Sequence, residues 1–168
     1  MFAPKLILSP IDYSGFSLAA LETAKELALH YGSELLLMHV VPVIPTLPAG
    51  VPFFEEGAYE RQMTEAARKA LEELADKAAA SGIRARTMVG FANDVAMEIV
   101  RAAETENVDL IVIATHGMTG WRRLAFGSVT EKVVRTAACP VLVLRCNATA
   151  ELKDAEIKPH SAAAGIHS

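Results

Sequence analysis

The chain predicts an α/β fold in which a parallel sheet is covered by helices on both faces. Three observations carry the prediction. Short apolar runs alternate with longer segments of helical apolar spacing, in the order β-α-β-α-β-α-β-α-β. The run Glu34–Val41 is apolar on both faces, as a strand buried on both sides must be. The run Val108–Ala114 is a second continuous apolar stretch bounded by turn residues.

Lys5–Pro10 forms the first buried strand, and Pro10 stops it. Ser14 opens a helix that runs to about Tyr31, with Leu18, Leu21 and Ala28 at helical spacing and Gly32 as its stop. Glu34–Val41 is the second strand. A Pro/Gly-rich insert, 42–57, follows; it contains Val43, Ile44, Leu47, Val51, Phe53 and Phe54 and is long for a structureless connection, so it is expected either to carry function or to pack as a flap. The next helix spans about Ala58 to Ser81, with Met63, Ala67, Ala70, Leu71, Leu74 and Ala78 as its apolar stripe and Gly82 at its end. Arg84–Gly90 alternates polar and apolar residues, the pattern of a half-exposed edge strand. Asn93 or Asp94 caps a helix to about Glu106. Asp109–Thr115 is the fourth strand, a helix starts near Ser128, and Pro140–Arg145 is the fifth strand. Residues 1–146 are expected to form one domain and 147–168 a tail rich in alanine and polar residues.

The segment between the fourth strand and the last helix is the chemically richest. Gly117, Gly120 and Gly127 lie between a strand end and a helix start. Glycine lets backbone approach a ligand closely, and a helix start presents unpaired N–H groups with partial positive charge. Together these features make a phosphate cradle. In parallel α/β sheets, ligands bind beyond the carboxyl ends of the strands, where the strand order reverses.

Composition narrows the function classes. At 168 residues the chain is long enough for one sizeable core. The net charge of -4 and the sparse aromatics argue against a nucleic-acid binder. No apolar segment approaches the ~20 residues of a membrane span, and no charged n-region precedes a long apolar run, so no secretion signal is expected. Cys139 and Cys146 lie at opposite ends of one predicted strand, too far apart to bridge, and no zinc spacing occurs. Two free thiols in a reducing cytoplasm are the expectation.

Several stretches carry a resemblance. They are Ile7-Leu-Ser-Pro-Ile-Asp-Tyr-Ser14, Leu36-Leu-Met-His-Val-Val41, Ile113-Ala-Thr-His-Gly117 with Gly127-Ser-Val-Thr-Glu-Lys-Val-Val134, and Cys139-Pro-Val-Leu-Val-Leu144. In order and spacing they resemble the universal stress protein family over roughly Lys5 to Arg145. The resemblance implies a five-stranded, Rossmann-like sheet of order 3-2-1-4-5, of the adenine nucleotide alpha hydrolase-like kind. That order sets the Asp12 loop opposite the Ala114–Ser128 loop. Family members that bind nucleotide carry Gly-x-x-Gly, nine residues, then Gly-Ser/Thr. Here the pattern runs Ala114-Thr-His-Gly117, nine residues, Gly127-Ser128, with alanine in place of the first glycine.

The resemblance also implies a set of nucleotide-binding residues: Pro10, Asp12, Val40, Ile113, Ala114, His116, Gly117, Gly120, Gly127, Ser128 and Val129. Asp12 would sit against the adenosine moiety, the Val40 backbone at the adenine edge and Ile113 near the base. Gly117, Gly127, Ser128 and Val129 would contact phosphates. The implied ligand is ATP or AMP, with Mg2+ or Mn2+ held through phosphate oxygens. The implied assembly is a homodimer through the strand around Val141–Leu144, an apolar edge that needs a partner.

Each residue also has a structural use. Asp12 suits a turn or helix cap. Ser128 and Glu131 form the Ser-x-x-Glu pattern of a capping box, which is compatible with phosphate contact. His116 lacks a nucleophile partner and fits a loop histidine bonded to backbone. His39 fits a satisfied core residue. Arg122 and Arg123 suit either a polyphosphate or solvent. Met63, Met88 and Met97 are expected to pack.

The expected function is an adenine-nucleotide-binding stress-response module. One alternative is a dimeric interaction module without nucleotide. Another is a slow nucleotide hydrolase, for which no G-x-x-x-x-G-K-[ST] lysine and no water-orienting base are visible, so hydrolysis would be weak at most. A redox flavoprotein shares the architecture but has no residue-level support.

Overall fold

The computed structural model describes residues 2–43, 58–115 and 127–145. The elements are β1 (Leu6–Pro10), α1 (Gly15–Tyr31), β2 (Glu34–Pro42), α2 (Ala58–Ala80), β3 (Ala85–Ala92), α3 (Val95–Thr105), β4 (Leu110–Ala114), α4 (Ser128–Thr136) and β5 (Val141–Leu144). The five strands form one sheet in the order β3-β2-β1-β4-β5, and every pairing is parallel.

Strand alternation sorts the apolar residues into two cores, because successive side chains point to opposite faces. Leu6, Leu8, Leu36, Met38, Val40, Ile111 and Ile113 meet α3 and α4. Ile7, Ile11, Leu35, Leu37, Leu110 and Val112 meet α1 and α2. Leu35 to Met38 are all fully buried, the two-sided burial expected of an inner parallel strand. The half-buried pattern along β3 agrees with its edge position.

Helix ends follow local chemistry. Ser14 caps α1 by accepting the Ser17 N–H, and Asp94 caps α3 by accepting the Met97 N–H. Gly32 ends α1 in the left-handed region at φ 67, returning its N–H to the Ala28 carbonyl. At the amino end of the sheet the Asp109 carboxylate accepts the backbone N–H groups of Lys5, at 2.7 Å, and Leu6, at 2.9 Å. The residue just before β4 thereby fixes the start of β1.

One expectation is corrected at α4. The cap is Gly127, with no side-chain hydrogen bond, and Ser128 is the first helical residue. Ser128 and Glu131 therefore form no capping box; Glu131 instead accepts from Arg135, one turn on. Glycine is itself an acceptable cap, and its N–H donates at 2.7 Å to the Thr115 carbonyl. Met97, expected to pack, is 41% exposed.

Ser9 is a polar residue in the middle of the sheet. Its hydroxyl is buried and has no hydrogen-bond partner among the described residues. Removing an unpaired buried hydroxyl does not remove a bond, so Ser9→Ala is expected to leave stability within about 1 kcal/mol of the parent, or to raise it. Urea unfolding checks this; a larger loss means that the hydroxyl has a partner.

Candidate functional site

The strand order reverses at β1, which has β2 on one side and β4 on the other. The carboxyl ends of β1, β2 and β4 and the start of α4 gather at this reversal. Pro10 is the last residue of β1, half-buried and paired with Met38. Asp12 lies in the β1–α1 loop. Val40 is in β2, opposite Gly90 of β3. Ile113 and Ala114 end β4, and Gly127, Ser128 and Val129 open α4. Eight of the expected residues are thus at one end of the sheet. The other three, His116, Gly117 and Gly120, lie outside the described residues, as do Arg122, Arg123 and Cys146.

Around Asp12 the chain is held by a set of short-range hydrogen bonds. The Ser14 N–H and hydroxyl both donate to Asp12 Oδ1, at 3.0 and 2.6 Å. Ser14 Oγ also accepts the Ser17 N–H at 3.2 Å. The Ser17 hydroxyl donates to the Ser14 carbonyl at 3.1 Å and accepts the Asp12 N–H at 3.3 Å. The turn role expected of Asp12 is therefore real. It orients the carboxylate at the strand end and is compatible with a ligand role.

His39 is satisfied, as expected of it. Its Nδ1 lies 2.7 Å from the Ile11 carbonyl, which can only accept, so Nδ1 carries the proton.

On the other face, Val40 and Ile113 share the core layer beneath α3 and α4. Opposite Val40, a Cβ on Gly90 would come within 2.9 Å of Glu98 Cγ and 3.1 Å of Met38 Cε. Only glycine admits the Glu98 side chain here. An ion pair with Arg101 holds the Glu98 carboxyl below the usual carboxylate range. Nothing in the β3 sequence pattern singled out Gly90.

α4 is tied to the end of β4 by two bonds. The Thr130 hydroxyl donates to the Ala114 carbonyl at 2.7 Å, and the Gly127 N–H donates to the Thr115 carbonyl. The helix start is thereby fixed over the sheet, and among the described residues its cap makes no side-chain hydrogen bond. Such a terminus presents N–H donors and partial positive charge toward an anion. Ala114, which stands where the nucleotide-binding pattern has glycine, is only 5% exposed, so its methyl group lies within the protein. Among the described residues no group of three or more His, Cys, Asp or Glu is placed to hold a metal. Burial pushes the Cys139 thiol above its ordinary value, and no described helix is long and apolar enough to cross a membrane.

A five-stranded parallel sheet in this order, with helices on both faces, is the adenine nucleotide alpha hydrolase-like fold. Residues 4–145 match the model of the universal stress protein family, and the chain belongs to that family. Universal stress protein MJ0531 of Methanocaldococcus jannaschii is 36% identical over 144 residues, covering 84% of this chain and 82% of that protein. Universal stress protein YxiE of Bacillus subtilis is 34% identical over 146 residues, covering 83% and 97%. The solved structure of hypothetical protein MJ0577 superposes with a TM-score of 0.74 at 28% identity, covering 87% of this chain and 99% of that one. The same fold, at lower identity, occurs in two other universal stress protein structures. One is in complex with cAMP (20% identity, TM-score 0.57, covering 86% and 98%). The other, from Archaeoglobus fulgidus, is in complex with dAMP (21%, TM-score 0.57, covering 85% and 98%).

Proposed function

We propose that this protein binds ATP, or a related adenine nucleotide, between the Asp12 loop and the start of α4, and acts as a regulatory stress-response module in the cytoplasm. The observation that carries the proposal is the glycine cap of α4. Gly127 leaves the first turn of a fixed helix without a side-chain cap at the reversal point of the sheet. Family membership and the cAMP and dAMP complexes of proteins with this fold support an adenine nucleotide as the ligand class.

In this site the N–H groups of Ser128 and Val129 donate to phosphate oxygens, and the Ser128 hydroxyl, which is exposed, adds a further donor. Gly127 keeps the approach open to phosphate. Gly117, Gly120 and His116 complete the cradle from the preceding segment. The Asp12 carboxylate, held by Ser14, faces the adenosine, and the Val40 backbone meets the adenine edge. A bound Mg2+ or Mn2+ would neutralise phosphate charge and be held through phosphate oxygens. The buried Ala114 methyl is compatible with this arrangement.

The protein is further proposed to be a homodimer through β5. Among the described residues that strand is a sheet edge, and Val141 to Leu144 are all half-buried, leaving apolar surface along the edge. Sedimentation at micromolar concentration is expected to show a dimer; monomer alone would remove this part of the account.

Chromatography of the small molecules released on denaturing the purified protein tests the ligand class. An adenine nucleotide is expected. Absence of any nucleotide, together with no uptake of added ATP or AMP, would make the protein a dimeric interaction module without nucleotide.

A further inference from the structure

Tyr13 follows Asp12 and is held in a way that neither strand formation nor helix capping requires. Its φ is 63, a left-handed conformation that an aromatic residue rarely adopts. Its side chain turns toward the α1/α2 face. The hydroxyl donates to the Ala67 carbonyl of α2 at 3.1 Å. The ring lies 4.9 Å from the His39 ring, tilted by 44°. Carbonyls within a helix already accept from the next turn, so Ala67 does not need this extra donor. Burial pushes the phenol up to about 12.

The residue before Asp12 is fixed as firmly. The Ile11 N–H donates to the Met38 carbonyl at 2.7 Å, and its own carbonyl accepts from His39. Met38 and His39 directly precede Val40, the proposed adenine contact. Asp12 is thus suspended between two anchors, one on β2 and one reaching α2. Strained backbone maintained by its surroundings marks a position where geometry is being enforced.

We infer that Tyr13 is a positioning residue that aims Asp12 into the nucleotide site and couples occupancy of that site to the docking of α2. The inference rests on the nucleotide site proposed above. Nucleotide contact at Asp12 tightens the loop, and the Tyr13–Ala67 bond transmits the tightening to α2. In return, any partner that displaces α2 loosens Asp12 and weakens nucleotide binding by the same factor, since coupling between sites is reciprocal.

The test compares the wild type with Tyr13→Phe and Tyr13→Gly. Phenylalanine keeps the ring on His39 and removes the donor. Glycine accepts φ 63 without strain and removes both contacts. ATP affinity is measured by calorimetry, and amide exchange across residues 63–75 is followed with and without ATP. The wild type is expected to bind ATP and to slow exchange in α2 on binding. Tyr13→Phe is expected to bind roughly five-fold more weakly, with the ATP-dependent protection of α2 lost. Tyr13→Gly is expected to bind more weakly still, with its melting temperature unchanged or raised. A merely structural tyrosine would shift melting and leave affinity alone. If the wild type binds ATP and Tyr13→Phe matches it in affinity and in α2 protection, the coupling is overturned and the nucleotide site stands. If the wild type takes up no ATP, both fall together. Should Tyr13→Gly not fold, Tyr13→Phe decides the matter.

Discussion

Replacing Gly127 with valine is expected to abolish the proposed ATP binding and to leave the sheet folded. The backbone at Gly127, φ -60 and ψ 149, is open to any residue, so valine introduces no backbone strain. Gly127 is half-buried and its N–H is already committed to Thr115, so the fold does not depend on the missing side chain. In the proposed site the branched side chain would instead obstruct the approach of phosphate to the first turn of α4. Losing two or three charge-assisted contacts lowers affinity by roughly 100-fold or more. The exchange of glycine for a poorer cap costs about 1 kcal/mol of stability. Calorimetric titration paired with thermal melting separates the two effects. Unchanged affinity would mean that the cradle lies elsewhere.

Leu71→Ala is expected to cause the largest loss of stability. Leu71 is fully buried, and the other fully covered positions of the α2 stripe, Ala67 and Ala78, are small. It packs in the cluster that contains Leu35 and Leu37 of β2. Those strand residues cannot collapse into the vacated space without disturbing the sheet, so transfer and cavity costs both apply. The expected loss is about 2–5 kcal/mol, or a melting decrease of roughly 10 °C for a domain of this size. Denaturant and thermal unfolding check it. A loss below about 1 kcal/mol would show that α2 is not anchored to the sheet, and the route from Tyr13 to Ala67 would lose its footing.

The layered architecture was legible because it rests on patterns that act over whole segments. The two-sided apolarity of β2 and β4 required inner parallel strands, and the alternation in Arg84–Gly90 marked an edge. Gly32 and Ser14 announced the ends of α1 by chemistry that acts within a few residues. The candidate site was legible as a proposal, through the spacing of Ala114, Gly117, Gly127 and Ser128, because a glycine-rich join between strand and helix has few structural uses. The strand order came through the family resemblance, since alternation alone does not say where the order reverses.

What remained hidden depends on contacts distant in sequence. Ser128 and Glu131 fit a capping box in sequence, yet the helix begins one residue earlier than that box requires, and Gly127 is the cap. Gly90 looked like an ordinary strand residue until Glu98 was seen to lie over it. Tyr13 gave no signal at all. Its positive φ, the reach to Ala67 and the tilted ring contact with His39 join three elements that only the fold brings together.

The central claim is that adenine nucleotide binds at the junction of β1, β4 and α4. Calorimetric titration of the nucleotide-free wild-type protein with ATP tests it most directly. The account predicts saturable binding at micromolar ATP or tighter. No heat of binding with either ATP or AMP, from folded protein, would contradict it.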